Sequence, residues 1–248
     1  MFQTFEASTS PDQGPPRLAA LRDAIAQAEL DGFLIPRADA HQGEYVAPRD
    51  DRLAWLTGFT GSAGFAAVLA GHAGVFIDGR YRVQVKDQTA DVFTPVPWPE
   101  TKLGDWLIDH CPNGATIGFD PWLHTLGEIE ALESRLAGSG VTLSETDNLI
   151  DQIWPDQPGP PVGKVSAYPD DLAGKTSAEK RHEIAQILKR AGQAAAVLTL
   201  PDAICWLLNI RGADIPRIPI VQAFAIMRAD SSVTLFADPA KFADLELG

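Results

Sequence analysis

Apolar residues recur at spacings of three and four from Leu18 through Leu21 and Ile25 to Ala28, one stripe of a helix expected to end at Asp31-Gly32. Phe33-Leu34-Ile35 then reads as a short buried strand. Two further apolar runs, Phe65 to Leu69 and Val75 to Ile77, flank Ala70-Gly71-His72-Ala73-Gly74, the pattern of a hairpin closed by a glycine-bearing turn. Asp105 to Asp109 and Leu126 to Leu136 read as helical, and Thr116 to Asp120 between them as a strand. Helix and strand alternate, which is α/β order.

Beyond Trp154 the pattern breaks. Pro155, Pro158, Pro160, Pro161 and Pro169 crowd one stretch and remove too many amide donors for a helix or an interior strand, so a connection between two domains is expected there. Thr176-Ser177-Ala178-Glu179 fits a capping box that starts the next helix, with Ile184, Ile187, Leu188 and Ala191 as its apolar face and Gly192 as its stop.

The pattern after that helix repeats the first half in a degenerate form. The first copy runs from a helix ending at Gly32 through a strand, Leu53-Ala54-Trp55-Leu56, an apolar strand and Val75-Phe76-Ile77-Asp78. The second runs from a helix ending at Gly192 through Ala195 to Leu198, Ile204-Cys205-Trp206-Leu207, Phe224 to Met227 and Leu235-Phe236-Ala237-Asp238. Two related domains are implied, the second shorter than the first.

The chain has 248 residues with 20 Lys and Arg against 33 Asp and Glu, a formal charge of −13. That surface is repelled by phosphate backbones and anionic lipid, so neither nucleic acid nor a membrane is an expected partner. A hydrophobic content of 45% is enough for a real core. Cys111 and Cys205 stand far apart and outside any Cys-x-x-Cys spacing, which favours a reducing compartment, the cytoplasm.

Candidate chemistry is sparse. The cluster Gly58-Phe59-Thr60-Gly61-Ser62-Ala63-Gly64 has neither the glycine spacing of a dinucleotide fingerprint nor the glycine two before serine of a nucleophile elbow, and reads as a turn between a helix end and a strand. Gly174-Lys175-Thr176 resembles the end of a phosphate loop but lacks the leading glycine and the preceding strand. Five histidines are scattered with no pair at metal-ligand spacing, and Asp50-Asp51 and Asp170-Asp171 are adjacent pairs whose side chains diverge. Arg80, in Asp78-Gly79-Arg80-Tyr81, pairs with a carboxylate at the sheet end or makes a substrate or subunit contact. Asn209 to Asp214 with Pro216 and Pro219 forms a polar loop that either rims a pocket or is shaped by a local Arg211–Asp214 pair.

Four segments in order, Gly58 to Gly64, Asp78 to Tyr81, Asn148 to Trp154 and Trp206 to Gly212, resemble the non-catalytic half of Xaa-Pro aminopeptidases (aminopeptidase P) of the three-domain kind, a resemblance that covers the chain from Arg17 to Gly248. It implies an α/β fold of two similar creatinase N-terminal-like domains, each a mixed β-sheet flanked by helices. The expected division is a flexible N-terminus over 1–16, domain I over 17–154, a Pro-rich linker over 155–175 and domain II over 176–248, truncated at its C-terminal end.

The resemblance also implies a partner, the pita-bread catalytic domain, where two divalent metal ions, usually manganese, held by Asp, Asp, His, Glu and Glu, activate water against the bond before a proline at position two of a peptide. No residue of this chain matches those ligands, so no catalytic residue, metal ligand or cofactor is expected here and the chain alone is expected to be inactive. By the same resemblance Asn209, Arg211 and Asp214 fall at a substrate rim and Arg80 at a domain or subunit contact. The alternative is a free-standing interaction or ligand-binding module without peptidase activity.

Overall fold

The computed structural model describes residues 9–243 and 245. The chain forms two compact units: Pro48–Pro158 with the chain up to Ala40, and the chain from Gly159 with His41–Ala47.

In the first unit, Ser10 accepts a hydrogen bond from the Asp12 amide and caps a short 3-10 turn, Pro11–Gln13, that leads straight into helix α1, Gly14–Gln27. The flexible N-terminus expected over 1–16 is thus ordered from Ser10, because Pro15 and Pro16 lie in the first helical turn, where an amide donor is not needed; residues 1–8 lie outside the described ones. The helix also stops earlier than Asp31-Gly32. Glu29 takes the left-handed conformation at φ 56° and the Leu30 amide bonds back to the Ile25 carbonyl at 3.0 Å. A left-handed glutamate carries no glycine signal.

Strand β1, Gly32–Pro36, runs antiparallel to β2, Gly64–Leu69, which pairs as the expected hairpin with β3, Ala73–Ile77. Between β1 and β2 lies helix α2, Arg52–Thr57, ended by Gly58 at φ 87°. The chain continues through α3, Gln84–Gln88; β4, Thr94–Pro97; α4, Leu103–His110; β5, Thr116–Phe119; α5, Leu126–Leu136; β6, Thr142–Glu145; and α6, Leu149–Ile153. The six strands make one mixed sheet in the order β4-β3-β2-β1-β5-β6, with β3/β4, β1/β5 and β5/β6 parallel.

Side chains alternate across this sheet, so each face has its own core. Phe33, Ile35, Val68, Val75 and Ile77 pack under Leu18 and Leu21 of α1, Leu56 of α2 and Leu149 and Ile150 of α6. Leu34, Ala67 and Phe76 face the opposite way and are covered by Trp106 and Leu107 of α4 and Leu136 of α5. Arg52, nearly fully buried, ties α2 to α6 by two bonds to Asp151, at 2.6 and 2.8 Å, and one to Asp50 at 2.9 Å.

The second unit begins inside the segment expected to be linker. Strand β7, Ser166–Ala167, pairs with β9, Ile210–Arg211, and helix α7, Asp170–Ala173, starts at Pro169. Only two residues long, β7 lies below any periodicity that a sequence can display. Helix α8, Ser177–Arg190, opens on the expected capping box, with Thr176 N donating to Glu179 Oε2 at 2.8 Å and Glu179 N to Thr176 Oγ1 at 3.2 Å. Then come β8, Ala195–Leu198; α9, Pro201–Leu208; β10, Phe224–Arg228; and β11, Val233–Phe236. The sheet order β11-β10-β8, antiparallel throughout, reproduces β3-β2-β1. The parallel strands of the mixed sheet belong to the first unit.

The duplication extends to single residues. α1 and α8 are both 14 residues long, and Val197 pairs with Ile226 as Leu34 pairs with Ala67. Phe224 faces Phe236 as Phe65 faces Phe76, and Asp238 caps a 3-10 turn after β11 just as Asp78 does after β3.

Candidate functional site

The candidate residues of the second unit sit where α9 ends. Asn209 closes that helix in the left-handed conformation at φ 50°, the position Gly58 holds after α2. An added Cβ on Gly58 would come within 2.3 Å of the Gln88 carbonyl oxygen, so glycine is required there. Asn209 has room for a side chain and uses it fully: Nδ2 donates to Asp170 Oδ1 at 2.7 Å and to the Lys175 carbonyl at 2.9 Å, while Oδ1 accepts from Lys180 Nζ at 2.6 Å. Its backbone carbonyl accepts from the Tyr168 amide at 2.7 Å. Asn209 thereby joins α7, α8, α9 and the chain leaving β7.

Asp214 is the second anchor, also buried. Its Oδ1 accepts from the Gly163 amide at 3.1 Å; its Oδ2 accepts from the Gln222 amide at 2.7 Å and from Lys241 Nζ at 2.8 Å. The carboxylate therefore belongs to Lys241 rather than to a local pair with Arg211, and it closes the loop 212–222 at both ends. Gly212 lies so close to Ile220 that a Cβ would meet its carbonyl oxygen at 2.5 Å.

Between the two anchors, Arg211 is half-buried with its guanidinium 4.0 Å over the Tyr168 ring and Nη1 donating to the Ile210 carbonyl at 2.9 Å. The fold has committed the polar atoms of Asn209 and Asp214 internally, whereas Arg211 is a cation held flat on an aromatic face. This arrangement offers binding and positioning.

In the first unit, exposed Arg80 grips Asp78 with Nε at 3.0 Å and Nη2 at 2.6 Å from Oδ2, and lies 5.1 Å over Tyr81. Those bonds from Arg80 hold the Asp78 carboxyl below the usual carboxylate range. Tyr81 reaches back to the glycine cluster, its hydroxyl 2.7 Å from Ser62 Oγ and 3.1 Å from the Ser62 amide, so the two motifs form one structural joint.

Sequence reasoning did not find Lys180 or Arg17. Lys180 Nζ lies 4.6 Å over the Trp206 ring and donates to the Trp206 carbonyl at 2.8 Å; Arg17 lies 4.5 Å over Trp55 and donates to its carbonyl at 2.5 Å. Each base stands at the fourth position of its helix, a signal visible only when the two copies are aligned. Burial, with Arg211 adding to it, holds Lys180 below the usual lysine range. The structure also brings His72 and His110 together, ring centroids 4.7 Å apart, although they lie far apart in sequence. Among the described residues no group of three or more His, Cys, Asp or Glu stands close enough to hold a metal ion.

Comparison with known proteins places both halves. Residues 17–153 and 156–247 each match a family described as the creatinase/prolidase N-terminal domain, and the chain belongs to that family. It is similar to a probable Xaa-Pro aminopeptidase P of Coccidioides posadasii (37% identity over 247 residues, 96% of this chain) and to aminopeptidase P1 of Arabidopsis thaliana (34% over 231 residues, 92% of this chain). It spans only 37% and 36% of those two proteins. Among solved structures, an X-prolyl aminopeptidase of Caenorhabditis elegans, described as a cytosolic enzyme with a di-nuclear active site, matches 91% of the chain with TM-score 0.86 and 31% identity, and 39% of its own length is covered.

Proposed function

We propose that this chain is the non-catalytic N-terminal part of a metal-dependent Xaa-Pro aminopeptidase, shaping substrate access to a pita-bread catalytic domain and supporting domain or subunit assembly. One observation carries the reading: the similarity to aminopeptidases P runs through both copies of the duplication, at TM-score 0.86 to an X-prolyl aminopeptidase. The two divalent cations, manganese by the family's habit, would belong to that catalytic domain. The substrates are peptides with proline at position two.

In this role Arg211 is the group that meets the peptide, and Asn209 and Asp214 hold the rim on which it sits. A guanidinium flat on Tyr168 presents its remaining N–H donors in one plane, suited to peptide carbonyls or a terminal carboxylate. Arg80, already paired with Asp78, makes a domain or subunit contact. The cytoplasm is the compartment, which suits two free cysteines and the cytosolic worm relative; no helix among the described residues is long and apolar enough to cross a membrane.

The test is kinetic. In the enzyme carrying its catalytic domain, Arg211→Ala should lower kcat/KM on Xaa-Pro peptides about tenfold, the loss of one charged hydrogen bond, while Arg211→Lys recovers part of it. Unchanged kinetics remove Arg211 from the rim.

A further inference from the structure

Asn209, Arg217 and Ser231 of the second unit all take the left-handed conformation without being glycine. Asn209 ends a helix and spends its side chain on three hydrogen bonds, and Ser231 turns the β10–β11 hairpin, its amide bonded to the Arg228 carbonyl at 3.0 Å. Arg217 does neither.

Arg217, at φ 70°, is the third residue of a turn in which the Ile218 amide donates to the Ile215 carbonyl at 3.1 Å and Pro216 stands second. That is the pattern of a type II turn, whose third position glycine occupies by preference. A branched Cα there strains the backbone. The side chain is exposed and makes no hydrogen bond or ion pair among the described residues, so nothing in the turn offsets the strain.

The turn stands on a stiff base. Ile215 is buried, Pro216 and Pro219 each fix a backbone dihedral, and Asp214 fastens the loop to Gly163, Gln222 and Lys241. The Gly212 amide closes it further by donating to the Pro219 carbonyl at 3.3 Å. Strain persists where the surroundings over-determine it, and it gathers at ligand clamps. A guanidinium on so fixed a mount also loses little backbone freedom on gripping a ligand.

The class of ligand follows from charge. On a chain of formal charge −13, an unpaired and permanently charged fork is a local station for a carboxylate. Resting on the peptidase reading, we propose that Arg217 is a specificity-determining residue that receives a peptide carboxylate on the far side of the proline. Asp214, at the rim of that reading, is also the residue that fastens the Arg217 loop. Arg211 meets the peptide itself, and Arg217 adds a preference among peptides. An acidic third residue and the free terminus of a tripeptide both supply the carboxylate.

The test uses the enzyme carrying its catalytic domain and three peptides: Ala-Pro-Ala amide, which has no carboxylate; Ala-Pro-Ala with a free terminus; and Ala-Pro-Glu amide. At least one of the two carboxylated peptides should exceed the neutral amide in kcat/KM by about fivefold, the worth of an exposed ion pair, and the favoured one identifies the source. Arg217→Ala and Arg217→Gly should erase the contrast, Arg217→Lys should keep part of it, and Arg217→Glu should invert it in favour of Ala-Pro-Lys amide. Arg217→Gly should also unfold at a higher urea concentration than the parent, because it relieves the left-handed residue. A lower midpoint for Arg217→Gly, a contrast that survives Arg217→Ala, or an equal fall for all three peptides overturns the proposal. Cleavage by the parent without any contrast overturns it and leaves the peptidase reading standing, whereas no cleavage of any peptide removes that reading and this proposal with it.

Discussion

Lys180 caps the helix that carries Trp206, lying over its ring and bonded to its carbonyl, and Arg17 repeats both contacts with Trp55 in the other half of the chain. Two sequences that have diverged almost everywhere keep a base on the fourth position of one helix and an indole on the next. The shared reason is local: the last carbonyls of a short helix need donors, and a cation answers both their partial charge and the ring's electron-rich face.

Removing that base should be expensive. Lys180→Met leaves the buried Oδ1 of Asn209 and the end of α9 without their donor, a loss of about 2 kcal/mol of stability. Urea unfolding read by circular dichroism measures it, with Lys180→Arg retaining most of the stability. A Lys180→Met protein as stable as the parent would show that the contacts are incidental.

At Asn209 backbone strain and hydrogen bonding can be separated. Asn209→Gly loses three side-chain bonds but accepts φ 50° freely; Asn209→Ala loses the same bonds and adds the cost of a left-handed alanine. The alanine variant should therefore be the less stable by about 1 kcal/mol. Equal stabilities would mean that the helix end relaxes out of the left-handed conformation.

Arg52 is a buried cation shared by Asp50 and Asp151. Arg52→Leu strands two carboxylates, and thermal or urea unfolding should report a loss of about 3 kcal/mol. Burial already pushes the Asp50 carboxyl up against the pull of Arg52, so Asp50→Asn should cost much less. A larger loss for Asp50→Asn than for Arg52→Leu would reverse this account.

His124 supplies the pH dependence. Its Nε2 is shielded without a partner among the described residues, and burial holds its pKa below the ordinary 6.5 although Glu128 and Asp120 pull the other way. The folded state therefore resists the proton that the unfolded chain accepts. Above the ordinary value both states are neutral and His124 has no effect; as pH falls below it, the unfolded state gains protons first and stability declines until the folded value is passed. Stability measured from pH 7.5 to 5.5 should fall more steeply in the parent than in His124→Phe, and parallel curves would remove His124 as the cause.

The thiols should be slow to react. Burial raises the Cys111 thiol to about 11 and raises that of Cys205 as well, so at pH 8 on the order of a thousandth of Cys111 is thiolate. A disulfide reagent should label native protein far more slowly than protein in urea; equal rates would contradict the burial.

What the sequence determined is local and periodic. The α8 capping box, the β2–β3 hairpin, the extent of α5 and the order shared by the two copies follow from patterns that one strand or helix imposes on its own residues. The carboxylates that follow β3 and β11 in both copies are legible for the same reason, since Asp78 and Asp238 each accept from an amide two residues on. The end of α1 at a left-handed glutamate was not legible, because that residue carries no glycine signal, nor was β7 within the proline-rich stretch, because two residues show no periodicity and their partner strand β9 is distant in sequence. The candidate site was legible as a loop, but which of its residues are spent was not: Asp214 finds Lys241, Asn209 finds Lys180, and only Arg211 is left on an aromatic face. Partners 27 to 29 residues apart leave no periodic trace, and only the folded chain decides which charge meets which.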